Sequence, residues 1–239
     1  MGYISAKDLV VQFAVYGLGS RSLKKNILRA ATGGALATDA ADRVVVKALD
    51  GISLEIREGE RIGLIGHNGS GKTTLLRVLA GIYEPVSGAL DIRGSVVSML
   101  SITLGMDPDA TGLENVSLRA AVMGLSKNET EQIVEQVADF AGLGDYIYMP
   151  LRTYSSGMAM RLAFTISTAI SADVILMDEW LNVGDADFSV KSQRRLNELM
   201  GSAKIVVLAS HDTSVLAQYC TRIVRLDHGR IVEDNKVAP

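Results

Sequence analysis

A glycine-rich segment that ends in lysine and threonine carries the strongest chemical signal in this sequence. Gly66–Thr73 reads GHNGSGKT and fits the pattern G-x-x-x-x-G-K-[ST]. Glycines let the backbone turn its N–H groups inward around phosphates, and the lysine places a positive charge beside the β- and γ-phosphates. The threonine hydroxyl suits Mg²⁺, a cation that prefers oxygen ligands. The predicted nucleotide contacts are Gly66, His67, Asn68, Gly69, Ser70, Gly71, Lys72, Thr73 and Thr74, with Thr73 also a metal ligand.

Two acids follow the apolar run 174–177. Ligands in open α/β sheets bind at the carboxyl ends of the strands, where Asp178 and Glu179 would lie. We expect Asp178 to hold Mg²⁺, through water, and Glu179 to polarise a water molecule for in-line attack on the γ-phosphorus. The alternative is an ordinary solvated strand end.

Histidine follows a further apolar run, 204–209, in the sequence Ser210-His211-Asp212. If all these strand ends meet at one edge of a sheet, the His211 imidazole can hydrogen-bond the γ-phosphate. A histidine taken alone is more often an ordinary surface or core residue, so this assignment depends on its neighbours. We interpret His67 as a loop residue whose side chain has no specific role. We interpret His228, before Gly229, as a hairpin-turn residue.

The elements that must position these groups are nearly continuous apolar strands at 61–65, 174–177 and 204–209. Such strands are typical of a parallel sheet that is covered on both faces, and each is followed by a helical pattern, for example Lys72–Ala80. The fold class is therefore predicted to be α/β, with a helical subdomain. We expect a single domain, residues 1–239, with a core of about 1–106 and 173–239, a helical part of about 107–172, and a partly helical insertion at 17–42.

Composition excludes several classes of protein. The chain has 239 residues and a formal net charge of −3, which gives no bulk electrostatic reason to bind nucleic acid or an anionic membrane. Its single cysteine, Cys220, excludes an internal disulfide and is predicted to be a buried small hydrophobe. No charge-free run approaches the roughly 20 apolar residues of a membrane span, and the start lacks a basic region followed by an apolar run, so no export signal is expected.

The order of these motifs resembles that of the nucleotide-binding subunit of ABC transporters. Between the phosphate loop and Asp178 lies Tyr154-Ser155-Ser156-Gly157-Met158, which resembles the signature motif of that family. The resemblance implies that Ser155, Ser156 and Gly157 reach across a homodimer to the γ-phosphate held by the partner copy. Ser155 can also cap a helix predicted over Met158–Ser171, and a helix cap alone is the alternative interpretation.

Longer strings resemble the ATPase subunits that export O-antigen, capsule, teichoic acid or galactan chains. These strings are Ala159–Phe164, Asp178–Phe188 and Thr111–Asn115, and the insertion at 17–42 is also similar. The resemblance implies an ATPase that uses ATP and Mg²⁺, forms a homodimer, and docks on a polytopic permease at the cytoplasmic face of the inner membrane. It also implies a mixed sheet, contact of Asp185 with the opposite protomer, and a permease-docking groove near Val97–Asp109. Some members of that group carry a C-terminal carbohydrate-binding domain, which we do not expect here because the sequence stops at Pro239.

The sequence departs from the pattern of that family in places. The stretch Ser95–Gly105 lacks the usual glutamine, and Trp180 replaces a common proline. Adenine usually stacks on an aromatic residue near the start of the chain; Phe13 aligns best and Tyr16 is the rival, and either can instead be plain core packing. A soluble ABC-type ATPase acting on nucleic acid or ribosomes would share every site residue, but it should carry coiled-coil insertions, a second cassette or basic surfaces.

Overall fold

The computed structural model describes residues 2–14, 36–38, 44–100, 102–179 and 186–237. Tyr16, Asp185, Trp180 and most of the predicted insertion lie outside these described residues. The chain divides into two compact units, the first made of Met1–Val96, Val174–Trp180 and Lys204–Pro239, the second of Val97–Asp173 and Leu181–Ala203.

Strands and helices alternate through much of the chain. The strands are β1 (Tyr3–Ala14), β2 (Leu36–Thr38), β3 (Val44–Arg57), β4 (Arg61–Ile65), β5 (Ser87–Arg93), β6 (Val96–Met99), β7 (Val174–Asp178), β8 (Ile205–Ala209), β9 (Arg222–Asp227) and β10 (Arg230–Lys236). The helices are α1 (Lys72–Leu79), α2 (Gly112–Val122), α3 (Lys127–Ala141), α4 (Ser156–Thr168), α5 (Ala186–Ser202) and α6 (Thr213–Tyr219), with 3-10 turns at Gly144–Tyr148 and Leu151–Thr153.

A mixed sheet forms the centre of the first unit. Strand β4 lies between β8 and β9 and runs parallel to both, β7 runs parallel to β8 on its other side, and β10 pairs antiparallel with β9. All five residues of β8 are buried, as expected for a nearly continuous apolar strand covered on both faces. Helix α1 buries Leu75, Leu76 and Val78. The predicted α/β core and its mixed sheet are confirmed.

A second, antiparallel sheet in the first unit has the strand order β2-β3-β1-β5. Its long strand β1 pairs with β3, and the register places Phe13 opposite Val46. Residues alternate between buried and exposed along the second half of β3, which is typical of a strand with one face on a core. This sheet brings the start of the chain to residues 46–48.

Helices form the second unit. Val116, Val137, Leu162 and Ile166 meet in its core. A capping box formed by Ser126 and Glu129 begins the helix that ends at Ala141. Among the residues that the structure describes, no helix is both long enough and apolar enough to cross a bilayer.

Candidate functional site

Glycines of the phosphate loop are fixed by close packing. A Cβ at Gly66 would lie 2.2 Å from the Leu226 carbonyl oxygen and 2.5 Å from Ser70 Oγ. Gly71 has φ 111°, and a Cβ there would lie 2.8 Å from the Ala48 carbonyl oxygen. Both positions therefore need glycine, because the Cβ of any other residue would collide with atoms of the same chain.

The loop opens helix α1 without a side-chain cap. Thr111, Ser126, Ser155 and Asp212 each accept a hydrogen bond from the first turn of their helix, whereas Gly71 contributes no such bond to α1. The first N–H groups of a helix have no intrahelical acceptor, and the helix dipole adds positive potential there. An anion such as a phosphate fits this uncapped end.

The side chain of Lys72 lies against the backbone of the same loop. Its Nζ donates to the carbonyl oxygens of Gly66 at 2.7 Å and His67 at 3.1 Å. Within the described residues its hydrogen-bond partners are neutral carbonyls, so no carboxylate competes with a phosphate for this ammonium group. Ser70 is completely buried instead, and its Oγ has no hydrogen-bond partner among the described residues.

Thr73 and Asp178 meet beside the loop. The hydroxyl of Thr73 donates to Asp178 Oδ2 at 2.6 Å, although the residues are 105 positions apart. Strand β7 places Asp178 opposite Ala209 at the carboxyl end of the sheet, and helix α1 supplies Thr73. This pair of oxygen donors fits Mg²⁺, a hard cation that needs few protein ligands and retains waters.

Glu179 occupies a strained position next to this pair. Its φ is 76°, a left-handed conformation that non-glycine residues rarely adopt. Its N–H donates to the Ala209 carbonyl oxygen at 2.8 Å, which fixes the turn that follows β7. Strain of this kind persists only where the surrounding structure imposes it, and it clusters at functional sites.

His211 contacts the carboxylate of Glu179. His211 Nδ1 lies 3.0 Å from Glu179 Oε1, and both side chains are exposed. The sequence predicted an imidazole near phosphate and did not anticipate this pair. The other ring nitrogen, Nε2, has no partner within the part of the chain that the structure describes. His211 can therefore orient Glu179 and still offer one nitrogen to a ligand.

These groups line one cavity of about 1200 Å³ in the first unit. The predicted residues that line it are Phe13, His67, Asn68, Gly69, Gly71, Lys72, Thr73, Thr74, Asp178, Glu179 and His211; Gly66 and Ser70 do not. Phe13 is 39% exposed and packs edge-on against Tyr83 with ring centroids 5.2 Å apart, so it presents an aromatic surface at the cavity.

Lys47 and His228 also line the cavity, and sequence reasoning gave neither of them a site role. Lys47 Nζ donates to Asp50 Oδ1 at 3.0 Å. Arg230 first, then Lys47, hydrogen-bond Asp50 and hold the pKa of that carboxyl below its usual range. No local motif marks these residues, because the antiparallel sheet and the β9–β10 turn bring them here.

The signature-like segment lies in the second unit. Ser155 caps α4 by accepting from Met158 N at 3.2 Å, and the helix runs from Ser156 to Thr168, starting and ending earlier than predicted. Tyr154 donates to the Tyr146 carbonyl oxygen at 2.6 Å, and burial raises the pKa of its phenol. Ser155, Ser156 and Gly157 are exposed, so the start of α4 faces solvent.

Comparison with known proteins finds ATP-binding proteins that are similar to this chain in sequence or in fold. A sequence profile described as "ABC transporter" matches residues 49–182. The O-antigen export system ATP-binding protein RfbE of Yersinia enterocolitica is 40% identical over 229 residues, 96% of each chain. The teichoic acids export ATP-binding protein TagH of Bacillus anthracis is 40% identical over 186 residues, 78% of this chain and 34% of that protein. A solved dimeric ATP-binding cassette with bound ADP and Pi has the same fold, with a TM-score of 0.71, 20% identity and 99% coverage of both chains.

Proposed function

Because the chain belongs to the ABC transporter family of ATP-binding proteins, we propose that it binds and hydrolyses ATP to power export of a polysaccharide or lipid-linked glycan across the cytoplasmic membrane. Support for the cargo comes from relatives that act in O-antigen and teichoic acid export, and the first of these aligns over 96% of its length. The same relatives favour transport over an action on nucleic acid or ribosomes.

The observation that carries the enzymatic part is the meeting of Thr73, Asp178, Glu179 and His211 at one edge of the sheet, beside the phosphate loop. The α1 N–H groups and Lys72 bind the phosphates, and Phe13 offers a face to adenine, with Tyr16 outside the described residues. Thr73 and Asp178 would hold Mg²⁺, which would neutralise charge on the phosphates of ATP. Glu179 orients the attacking water and accepts its proton, and His211 positions Glu179.

Two copies complete each site in this proposal. The exposed start of α4 supplies what the phosphate loop lacks, namely N–H groups and positive potential on the far side of the γ-phosphate. Ser155, Ser156 and Gly157 of one copy then cover the nucleotide held by its partner, with Asp185 at the same interface. ATP binds the closed dimer more tightly than the open form and so favours closure, and hydrolysis removes this difference in affinity.

The closing and opening of the dimer is the signal that a permease would receive. We place the chain at the cytoplasmic face of the membrane as a peripheral subunit, held there by a polytopic permease. Residues 97–109 are the proposed docking segment, and within it Leu104 is 68% exposed. A large exposed leucine suits a contact with an apolar partner.

Gly157 gives a sharp test of the shared site. A Cβ there meets only Ser155 Oγ, at 3.9 Å, so Gly157→Gln should fold normally. Gly201 of α5 is a matched control, because it is also helical and a Cβ there meets nothing within 4 Å. In a Glu179→Gln background that slows hydrolysis, light scattering with ATP should show a doubled mass for Gly201→Gln and a monomer for Gly157→Gln.

Nucleotide binding by the monomer should survive the Gly157→Gln substitution, because the phosphate loop is untouched. Lys72→Ala should abolish that binding, whereas Lys127→Ala, which removes another exposed ammonium, should leave it unchanged. ATP-driven dimerisation of the Gly157→Gln protein would contradict the shared-site proposal, and unchanged affinity of Lys72→Ala would contradict the assignment of the phosphate loop.

A further inference from the structure

A group of metal-ligand side chains links the phosphate loop to the β9–β10 turn and takes no part in the chemical step of the proposed hydrolysis. His67, Asp227 and His228 each offer one ligand atom, and these atoms all lie within 4.8 Å of one another. His67 Nε2 is 2.9 Å from Asp227 Oδ1, and His228 Nε2 is 3.8 Å from the same oxygen. Nitrogen and oxygen ligands around one tetrahedral Zn²⁺ are separated by about 3.3 Å, so these distances bracket the required spacing.

The hydrogen bonding of His67 leaves one ring nitrogen facing Asp227. His67 Nδ1 lies 2.8 Å from the Asn68 carbonyl oxygen, which can only accept, so Nδ1 carries a hydrogen. Nε2 is then the ring nitrogen that faces the carboxylate of Asp227, and it is the one available to bind a metal ion. A backbone carbonyl on the second nitrogen is also the usual arrangement of a metal-bound histidine.

The two histidines come from different segments that the backbone holds together. Gly229, directly after His228, donates its N–H to the Ser70 carbonyl oxygen at 2.9 Å, which anchors the β9–β10 turn on the phosphate loop. His228 has φ 45° and Gly229 has φ 78°, the positive values that a two-residue hairpin turn requires, so the turn fixes the backbone of His228. The imidazole centroids are 4.8 Å apart and the rings are tilted by 57°, so they are not stacked. The site is therefore built before any ion arrives.

We propose that His67, Asp227 and His228 bind Zn²⁺, with water completing its coordination, at a site separate from the Mg²⁺ position at Thr73 and Asp178. Two imidazoles and one carboxylate form a ligand set typical of Zn²⁺, whereas Mg²⁺ prefers oxygen alone. The bound ion ties the phosphate loop to the β9–β10 turn. Because His67 and His228 both line the nucleotide cavity, the ion would stiffen the loop that must adapt to the phosphates.

Metal titration of the full chain tests this proposal. Zn²⁺ binding is measured by calorimetry without nucleotide, since ATP chelates Zn²⁺, and Co²⁺ is added as a probe with a visible spectrum. His228→Asn removes one ligand and keeps the turn, because asparagine tolerates positive φ. His211→Asn is the matched control, since it removes the remaining histidine of the chain and leaves the three ligands intact.

Wild type and His211→Asn should bind one Zn²⁺ with equal affinity, and excess Mg²⁺ should not displace it. His228→Asn and Asp227→Asn should each bind at least about tenfold more weakly, which is the smallest loss expected even for an outer-shell partner. Hydrogen exchange of residues 66–71 should slow on adding Zn²⁺ to wild type but not to His228→Asn. Equal affinity of wild type and His228→Asn, or no binding by wild type, would overturn the proposal.

Discussion

Substitutions of Glu179 separate its chemical role from the strain of its backbone. Glu179→Gln keeps the shape of the side chain and removes the base, so turnover should fall by at least about a hundredfold. Glu179→Ala and Glu179→Gly both remove the side chain and its contact with His211, and both should be as slow. They differ only in the Cβ at φ 76°, so they isolate the backbone term.

The size of that backbone term follows from the conformation. A left-handed residue with a Cβ costs about 1–2 kcal/mol relative to its preferred conformation. Glycine loses about 0.5–1 kcal/mol more conformational free energy than alanine on folding. With the middle of each range, Glu179→Gly should therefore exceed Glu179→Ala in the free energy of unfolding by about 0.75 kcal/mol. In a chain of this length the difference in Tm is about 1.5–3 °C.

Phosphate release measures turnover, and thermal and urea unfolding measure stability, on the same preparations. The expected pattern is slow turnover in all three variants with the highest Tm in Glu179→Gly. Equal Tm values for the glycine and alanine variants would refute the claim that this position is strained. Turnover at the wild-type rate in Glu179→Gln would refute its role as the base.

Other substitutions test the packing of the first unit. Gly66→Ala should destabilise the protein by at least about 2 kcal/mol, because the new Cβ would overlap the Leu226 carbonyl oxygen. Gly69→Ala, with no atom within 4 Å of its Cβ, should cost only the net left-handed difference of about 0.75 kcal/mol, and urea unfolding distinguishes the two variants. Burial raises the pKa of Cys220 to about 12, so a thiol reagent at pH 8 should label the folded protein far more slowly than the urea-unfolded protein, and equal rates would contradict the burial. Because the folded pKa is raised, the contribution of the thiol to the free energy of unfolding is complete below its unfolded pKa of about 8.5. That contribution falls as pH rises towards the folded pKa, so the stability of the wild type relative to Cys220→Ala should fall over this range.

Local signals were sufficient for much of the fold. The strand predicted at 61–65 is β4, and the helix predicted from Lys72 ends within a residue of its predicted end. The cap at Ser155 was predicted from residue types alone, since a cap depends on neighbours only a few positions away. The buried state of Cys220 is likewise confirmed.

Long-range contacts could not be predicted from the sequence. Contacts group α5 with the second unit, because Phe188 packs against Phe164 with ring centroids 6.0 Å apart and against Phe140 at 5.8 Å. Apolar periodicity marks the buried face of a helix but does not name the surface that covers it. The roles of Tyr16 and Asp185 remain predictions.

By itself, the sequence determined the phosphate loop, the acids at the end of β7 and the family, because each is written in consecutive residues whose chemistry needs that order. Only the tertiary structure decided that His211 faces Glu179, that Glu179 is strained, and that His67 meets Asp227 and His228. These pairs of residues are 32 to 161 positions apart along the chain. Their distances are set by strand register and by how the turns pack, and neither is encoded in any local stretch of residues.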